Sequence, residues 1–189
     1  MQLTEFLDYL NNGYEVSAGS DIHKYMTMLS QEAIKITTEI NNVHHTPEEI
    51  GELFSKLIGK PLTHFSLFPP FTTDCGKNIS LGDGVFINSG CRFQDQGGIT
   101  IKDKALIGHN VIITTLNHNF NPEKRGNLLP SPVVIGSHAW IGSGSIILPG
   151  VTIGDNAVIG AGSVVTKNIP ENMIAVGNPA RVIKSVFDE

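Results

Sequence analysis

Two cysteines, Cys75 and Cys91, are too few for a disulfide framework in 189 residues. Both fall where the repeat described below wants small, semi-apolar side chains, so buried free thiols are expected. Basic residues number 13 against 18 acidic ones and are scattered. A formal charge of −5 without a basic block lacks the electrostatic footprint of phosphate-backbone binding, and no nucleic-acid partner is expected. No apolar run approaches the roughly 18 residues of a membrane span, and Met1-Gln2-Leu3-Thr4-Glu5 lacks a basic stretch leading into an apolar one. No membrane association and a cytoplasmic location are therefore expected. With 40% apolar and 16% charged residues, the composition is that of an ordinary folded domain.

Glycine is also scarce at first, and residues 1–60 carry apolar side chains three and four apart, the period of a helix. Leu3, Phe6, Leu7 and Leu10 form one stripe that stops at Asn12-Gly13. Ile22, Tyr25, Met26, Leu29, Ala33, Ile36 and Ile40 form a second, with Ser20 as its N-cap. Thr46 and Glu49 have capping-box spacing around Pro47, which starts a third helix ending at Gly59. Three short amphipathic helices bury little alone, so residues 1–60 are expected to form a helical segment packed on the body at 61–189 and on a neighbouring subunit.

From residue 79 the chain divides into sixes, as in Ile79-Ser-Leu-Gly-Asp-Gly84 and Val85-Phe-Ile-Asn-Ser-Gly90. The third residue is aliphatic or aromatic at Leu81, Ile87, Phe93, Ile101, Ile107, Ile113, Ile135, Ile141, Ile147, Ile153, Ile159 and Val165. Gly or Asn often follows it, as at Gly82, Asn88, Gly108, Gly142 and Gly160, where a tight turn is expected to demand permissive dihedrals. A period of six with short β-favouring triplets predicts a parallel β-helix, one hexad per side of a triangular coil. Four complete coils span 79–168, with a partial coil at Thr73–Asn78. Stability then comes from coil stacked on coil. An antiparallel sandwich alternates over two residues and turns every 8–12, which this sequence does not do.

The register breaks twice. Between Phe93 and Ile101 the step is eight, an insertion placed at Gly97-Gly98. Between Ile113 and Ile135 it is 22, so a loop at 117–132 leaves the prism. Long excursions from a regular solenoid usually serve function. This one carries His118, Glu123, Lys124 and Arg125, and histidine, with an ordinary pKa of about 6.5, exchanges a proton near neutrality. His118 is the candidate base.

The run Ile135-Gly-Ser-His-Ala-Trp-Ile-Gly-Ser-Gly-Ser-Ile-Ile-Leu-Pro-Gly-Val-Thr-Ile-Gly-Asp-Asn-Ala-Val-Ile-Gly-Ala-Gly-Ser-Val-Val-Thr-Lys167 resembles the hexapeptide-repeat acyltransferase signature. With Asn117-His118, Asn121-Pro-Glu-Lys-Arg125, Gly177-Asn-Pro-Ala-Arg-Val-Ile183 and the early Leu10-Asn-Asn-Gly-Tyr14, the chain resembles the maltose and galactoside O-acetyltransferase branch. That resemblance implies a mainly β fold, a left-handed parallel β-helix with a small N-terminal helical segment and a C-terminal tail. It also implies homotrimers with active sites between subunits, acetyl-CoA as co-substrate, no metal, and a small hydroxylated acceptor such as a sugar.

Position by position, the resemblance makes His118 the base that deprotonates the acceptor hydroxyl as it attacks the thioester. Asn88 and Trp140 match acceptor-side residues. Ser143 matches a residue whose backbone N–H lies near the thioester, where a donor stabilises an oxyanion. Ala161, Thr166, Lys167, Arg181 and Lys184 match coenzyme contacts, the three cations suiting its phosphates. The departures cluster on the acceptor side. Ala18 stands where the branch has an acid, Gln96 where it has another beside a retained Asp95, and Leu128 replaces a longer thioether residue.

Two rival readings attach to the same fold. A zinc-dependent carbonic-anhydrase-like enzyme needs three convergent histidines, yet His109 is followed by Thr114 and Thr115 where further ligands are required. A non-catalytic scaffold has no need of His118, Lys167 and Arg181.

Overall fold

The computed structural model describes residues 1–61 and 64–188; Glu189, the end of the second expected segment, lies outside the described residues. Helix α1 spans Leu3–Asn11, α2 Asp21–Asn42 and α3 Pro47–Ile58. The local signals act as expected. Ser20 Oγ accepts from His23 N at 3.2 Å, Thr46 and Glu49 close a capping box around Pro47, and Gly59 stops α3 at φ 71°.

The body is a parallel β-solenoid of three faces. The first stacks Phe65–Leu67, Val85–Ile87, Leu106–Ile107, Trp140–Ile141, Val158–Ile159 and Met173–Gly177 in parallel, and Ala180–Ser185 returns antiparallel along its edge. The second stacks Phe71–Thr73, Cys91–Gln94, Ile112–Thr114, Ile146–Ile147 and Val164–Val165. The third stacks Ile79–Leu81, Ile99–Ile101, Val133–Ile135 and Thr152–Ile153. Hexad positions pair with their equivalents one coil on, as Ile107 with Ile141 and Ile141 with Ile159. These ladders fill the interior, and each fully buried Ile or Val contributes about 1.5–3 kcal/mol. Leu81 alone of the twelve third positions is only half-buried.

The prism is longer than the hexad count. It begins at Phe65 rather than Thr73, because Pro69-Pro70 interrupts the repeat without ending the coil. It ends at a hairpin, Met173–Gly177 with Ala180–Ser185, where a tail was expected. The later part of α2 and all of α3 share the prism's core. Phe54 of α3 meets Phe71 at 5.4 Å between ring centroids, and Phe71 meets Phe93 at 5.1 Å, so α2 and α3 close one end of the prism. Asn41 fixes this contact by donating to Phe71 O and accepting from Phe71 N, both at 2.8 Å. Helix α1 and the start of α2 instead pack with Val16, Cys75, Leu116 and Leu128, beside the long excursion.

The expected reason for the repeat's first glycine needs correction. Positive φ occurs two residues after it, at Gly84, Gly90, Asn110, His138, Gly144, Asn156 and Gly162. Gly142 is required by crowding instead, since a Cβ there would stand 2.6 Å from both Ala161 N and Ile159 O of the next coil. The coils approach backbone to backbone at that position, whatever its dihedrals.

Candidate active site

The excursion is an ordered hairpin. Leu116–His118 pairs antiparallel with Leu128–Pro130, and a 3₁₀ turn at Pro122–Lys124 closes it. His118 and Leu128 are direct partners in this register, so their side chains stand on the same side. Behind them Val16 exchanges two 2.9 Å backbone hydrogen bonds with Leu128. Leu128 is therefore a packing residue as well as a neighbour of His118.

His118 is exposed, and its Nδ1 lies 2.7 Å from the carbonyl oxygen of Arg125. A carbonyl only accepts, so Nδ1 carries the proton and Nε2 keeps its lone pair. The Arg125 guanidinium donates to Phe120 O at 2.9 Å, which ties the strap supplying that carbonyl to the hairpin's other limb.

The remaining expected residues separate onto edges of the prism. At the corner between second and third faces lie the His118 hairpin, Asp95, Gln96, Thr166 and Lys167. At the corner between first and second faces lie Asn88, Ser143 and Ala161. Arg181 and Lys184 sit on the returning strand of the first face, and Trp140, 54% exposed, points outward from that face. Lys167, Arg181 and Lys184 are exposed and form no ion pair among the described residues. Asn88 Oδ1 accepts from Ser89 N at 2.9 Å, which holds its own turn.

Ser143 occupies a hexad position whose N–H is taken at some corners by a side chain one coil on and left open at others, as at Asp103 and Asp155. At equivalent corners, Asp83 N donates to Asp103 Oδ1, His109 N to Ser143 Oγ and Ser137 N to Asp155 Oδ1, each a side chain one coil on. For Ser143 the residue one coil on is Ala161, whose methyl accepts nothing. No described residue accepts from Ser143 N–H, which sits at an exposed corner as a free donor.

Asp95 is not placed for the ligand contact the resemblance implied. It is fully buried, with Oδ1 accepting from Thr73 Oγ1 at 2.6 Å and Cys75 N at 2.8 Å and Oδ2 from Asn78 N at 3.2 Å. Burial pushes its carboxyl above the ordinary range despite these donors. It bolts the turn between faces. Gln96 is 5% exposed, and its Oε1 is buried without a partner.

Residues the sequence reading passed over complete the surroundings. Glu15 Oε1 accepts from the side-chain amides of Asn119 and Asn127, both at 2.9 Å. Ala18 N in turn donates to Asn127 Oδ1 at 3.0 Å. Asp74, exposed at the hairpin corner, has its carboxyl pushed up by the protein crowded around it, against hydrogen bonds from Gln96 and Gln94. No spacing rule reaches across such distances in sequence. Among the described residues no group of three His, Cys, Asp or Glu is placed to hold a metal ion, and no helix is long and apolar enough to cross a membrane.

The model for bacterial transferase hexapeptide (six repeats) matches residues 132–167, and that for the hexapeptide repeat of succinyl-transferase matches 78–115. A maltose O-acetyltransferase from Clostridium difficile 630 superposes with a TM-score of 0.87 at 38% identity, covering 95% of this chain and 96% of that one. The chain belongs to the hexapeptide-repeat acetyltransferase family. The acetyltransferase VCA0836 of Vibrio cholerae O1 biovar eltor, solved with acetyl coenzyme A, superposes at 0.85 and 31% identity over 97% of this chain and 99% of that one. The galactoside O-acetyltransferase of Lactococcus lactis is 38% identical over 162 residues, 84% of this chain and 78% of that protein. Across the first four curated relatives the chain spans 61%, 72%, 63% and 78% of their length.

Proposed function

We propose that this member of the family moves an acetyl group from acetyl-CoA to a hydroxyl of a small acceptor, a sugar by its likeness to the maltose and galactoside enzymes, with His118 as general base. The observation that carries the reading is the His118 ring, fixed through Nδ1 on the Arg125 carbonyl with Nε2 free. Nε2 takes the hydroxyl proton as the acceptor oxygen attacks the thioester carbonyl. The tetrahedral oxyanion forms opposite the free Ser143 N–H, then collapses as the C–S bond breaks, and the thiolate leaves with the proton held by His118. Asn88, Leu128 and Trp140 line the acceptor side. Ala161 and Thr166 bound the pantetheine path, and Lys167, Arg181 and Lys184 meet the coenzyme phosphates.

The separation of these groups supports a homotrimer with intersubunit sites. Ser143 and Ala161 lie on one corner and His118 on the next, with the width of the second face, on the order of 10 Å, between them. The faces flanking the Ser143 corner carry apolar outward residues, Leu106 and Trp140 on the first and Ile112, Ile146 and Val164 on the second, where Thr72 and Arg92 precede them in the row. The third face presents Ser80, Thr100, Val134 and Thr152, a more polar row. Apolar faces of that extent call for cover, and further copies of the chain packed there would bring a second chain's His118 to the Ser143 corner. A cytoplasmic location fits acetyl-CoA as donor.

The test is His118→Ala, expected to lower turnover by about 10²–10⁴ while leaving acetyl-CoA binding intact. Unchanged turnover would remove His118 from the mechanism.

A further inference from the structure

Two of the strands that begin the prism are finished differently at their outer edges. Phe65–Leu67 is the end strand of the first face and pairs only with Val85–Ile87. In that parallel ladder His64 O accepts from Gly84 N at 2.7 Å, and Phe68 N donates to Ile87 O at 3.0 Å. His64, Ser66 and Phe68 therefore turn their peptide groups toward the neighbouring strand, and Phe65 and Leu67 turn theirs the other way. On the second face the corresponding groups of Phe71 are closed by the Asn41 side chain, which donates to Phe71 O and accepts from Phe71 N, both at 2.8 Å. No described residue closes Phe65 or Leu67 in this way.

The open groups lie along a cleft of about 500 Å³, whose other wall is the end of α2, the start of α3 and the connector between them. Ile40, Val43, Pro47, Ile50, Phe65 and Leu67 make it mainly apolar. It contains none of the residues assigned to acetyl transfer above. Leu67 is only 8% exposed, so its N–H and C=O depend on what enters the cleft. Past Pro47 and Phe65 the cleft runs on along Glu48 and Glu52 of α3, and no lysine or arginine lines either part among the described residues.

We propose that this open edge docks an extended peptide segment of a partner protein, with apolar side chains at alternate positions and lysine or arginine beside them. The segment pairs as the next strand beyond Phe65–Leu67, where two N–H and two C=O groups are presented at the spacing a strand matches. Its apolar side chains enter the cleft, and its cations meet Glu48 and Glu52. A small apolar molecule fills the same volume but leaves the row of peptide groups unpaired. The inference is independent of the acetyl-transfer reading and goes beyond it.

The experiment titrates the full chain with three capped pentapeptides: Lys-Val-Thr-Val-Lys, the same sequence methylated on its backbone nitrogens, and Glu-Val-Thr-Val-Glu. Backbone amide signals and their exchange with solvent are followed. Saturable binding of the lysine peptide is expected, tighter than that of either control by about tenfold or more. At saturation the Phe65 and Leu67 amides exchange about tenfold more slowly or less, while Ser66, already bonded to the ladder, is unchanged. Glu48→Gln with Glu52→Gln removes the preference over the glutamate peptide and keeps that over the methylated one. No saturable binding, equal binding of the methylated peptide, or binding that leaves the Phe65 and Leu67 amides exchanging as before overturns the docking site. A preference for the lysine peptide that survives both substitutions overturns the assignment of its charge.

Discussion

Glu15 and Asn127, 112 positions apart, meet at 2.9 Å, and the same carboxylate oxygen takes the amide of Asn119 from the opposite limb of the hairpin. One side chain of the helical front end thus bridges both strands that flank His118 and Leu128. The front end is therefore part of how His118 is held.

If His118 is the base as proposed, removing that bridge should loosen it without touching the residues proposed to meet the coenzyme. For Glu15→Ala we expect turnover to fall about 10- to 100-fold, the cost of a catalytic group displaced by an ångström or so, with the acetyl-CoA KM unchanged. The amides of Asn127 and Asn119 hold the Glu15 carboxyl below its ordinary value. A lowered folded value means the bridge is fully present above the ordinary carboxylate pKa and is lost as pH falls through the folded one. Hydrogen exchange in Leu116–His118 and Leu128–Pro130 should accelerate only in acid for wild type, and already at neutral pH for Glu15→Ala. Equal exchange at pH 7 would remove Glu15 from this role.

Ala161 offers a test of the free donor. At three other corners a side chain one coil on takes the N–H that Ser143 leaves open, as Ser143 Oγ does for His109. Ala161→Ser places a hydroxyl in the same relation to Ser143 N–H. Turnover should fall about 10²-fold or more, the usual effect of losing one oxyanion donor, with the melting temperature kept or slightly raised. Ala161→Gly leaves the donor open and should retain most activity. If Ala161→Ser turns over like wild type, the N–H does not meet the oxyanion.

Much of this arrangement was legible beforehand. The period of six gave the three faces, because an interior ladder demands an aliphatic side chain at every third hexad position. Ser20, Thr46, Glu49 and Gly59 marked helix ends through hydrogen bonds made within four residues. What escaped depends on contacts remote in sequence. Phe65–Leu67 and Phe71–Thr73 join the prism through pairing with Val85–Ile87 and Cys91–Gln94, across a proline pair that hides the repeat. His138 accepts φ 57° because the coil fixes that corner, so the left-handed residue is not announced by glycine. Asp95 looked like a ligand residue by position, and only its three donors, from Thr73, Cys75 and Asn78, reveal a structural bolt. Asp74 and Glu15 lacked any local pattern at all.

The two thiols give the protein an alkaline weakness. Cys75 is buried beside Asp95, and burial, then that carboxylate, pushes its thiol up to about 12; burial pushes Cys91, which donates to Gly108 O at 3.2 Å, up to about 11. Both folded values lie above the ordinary 9.0. The native state therefore holds these protons more tightly than the unfolded chain, and the stability this contributes is complete below pH 9 and disappears as pH rises through 11 and 12. Melting temperatures measured from pH 8 upward should decline steeply past 9 in wild type. Cys75→Ala with Cys91→Ala should lower the plateau by leaving small cavities, yet flatten the alkaline decline. Native protein at pH 8 should resist thiol-specific alkylation until denatured, because a thiolate, not a thiol, is the nucleophile. Rapid alkylation of folded protein, or an alkaline slope identical in the double variant, would show that neither thiol is sealed in the prism as the coil packing requires.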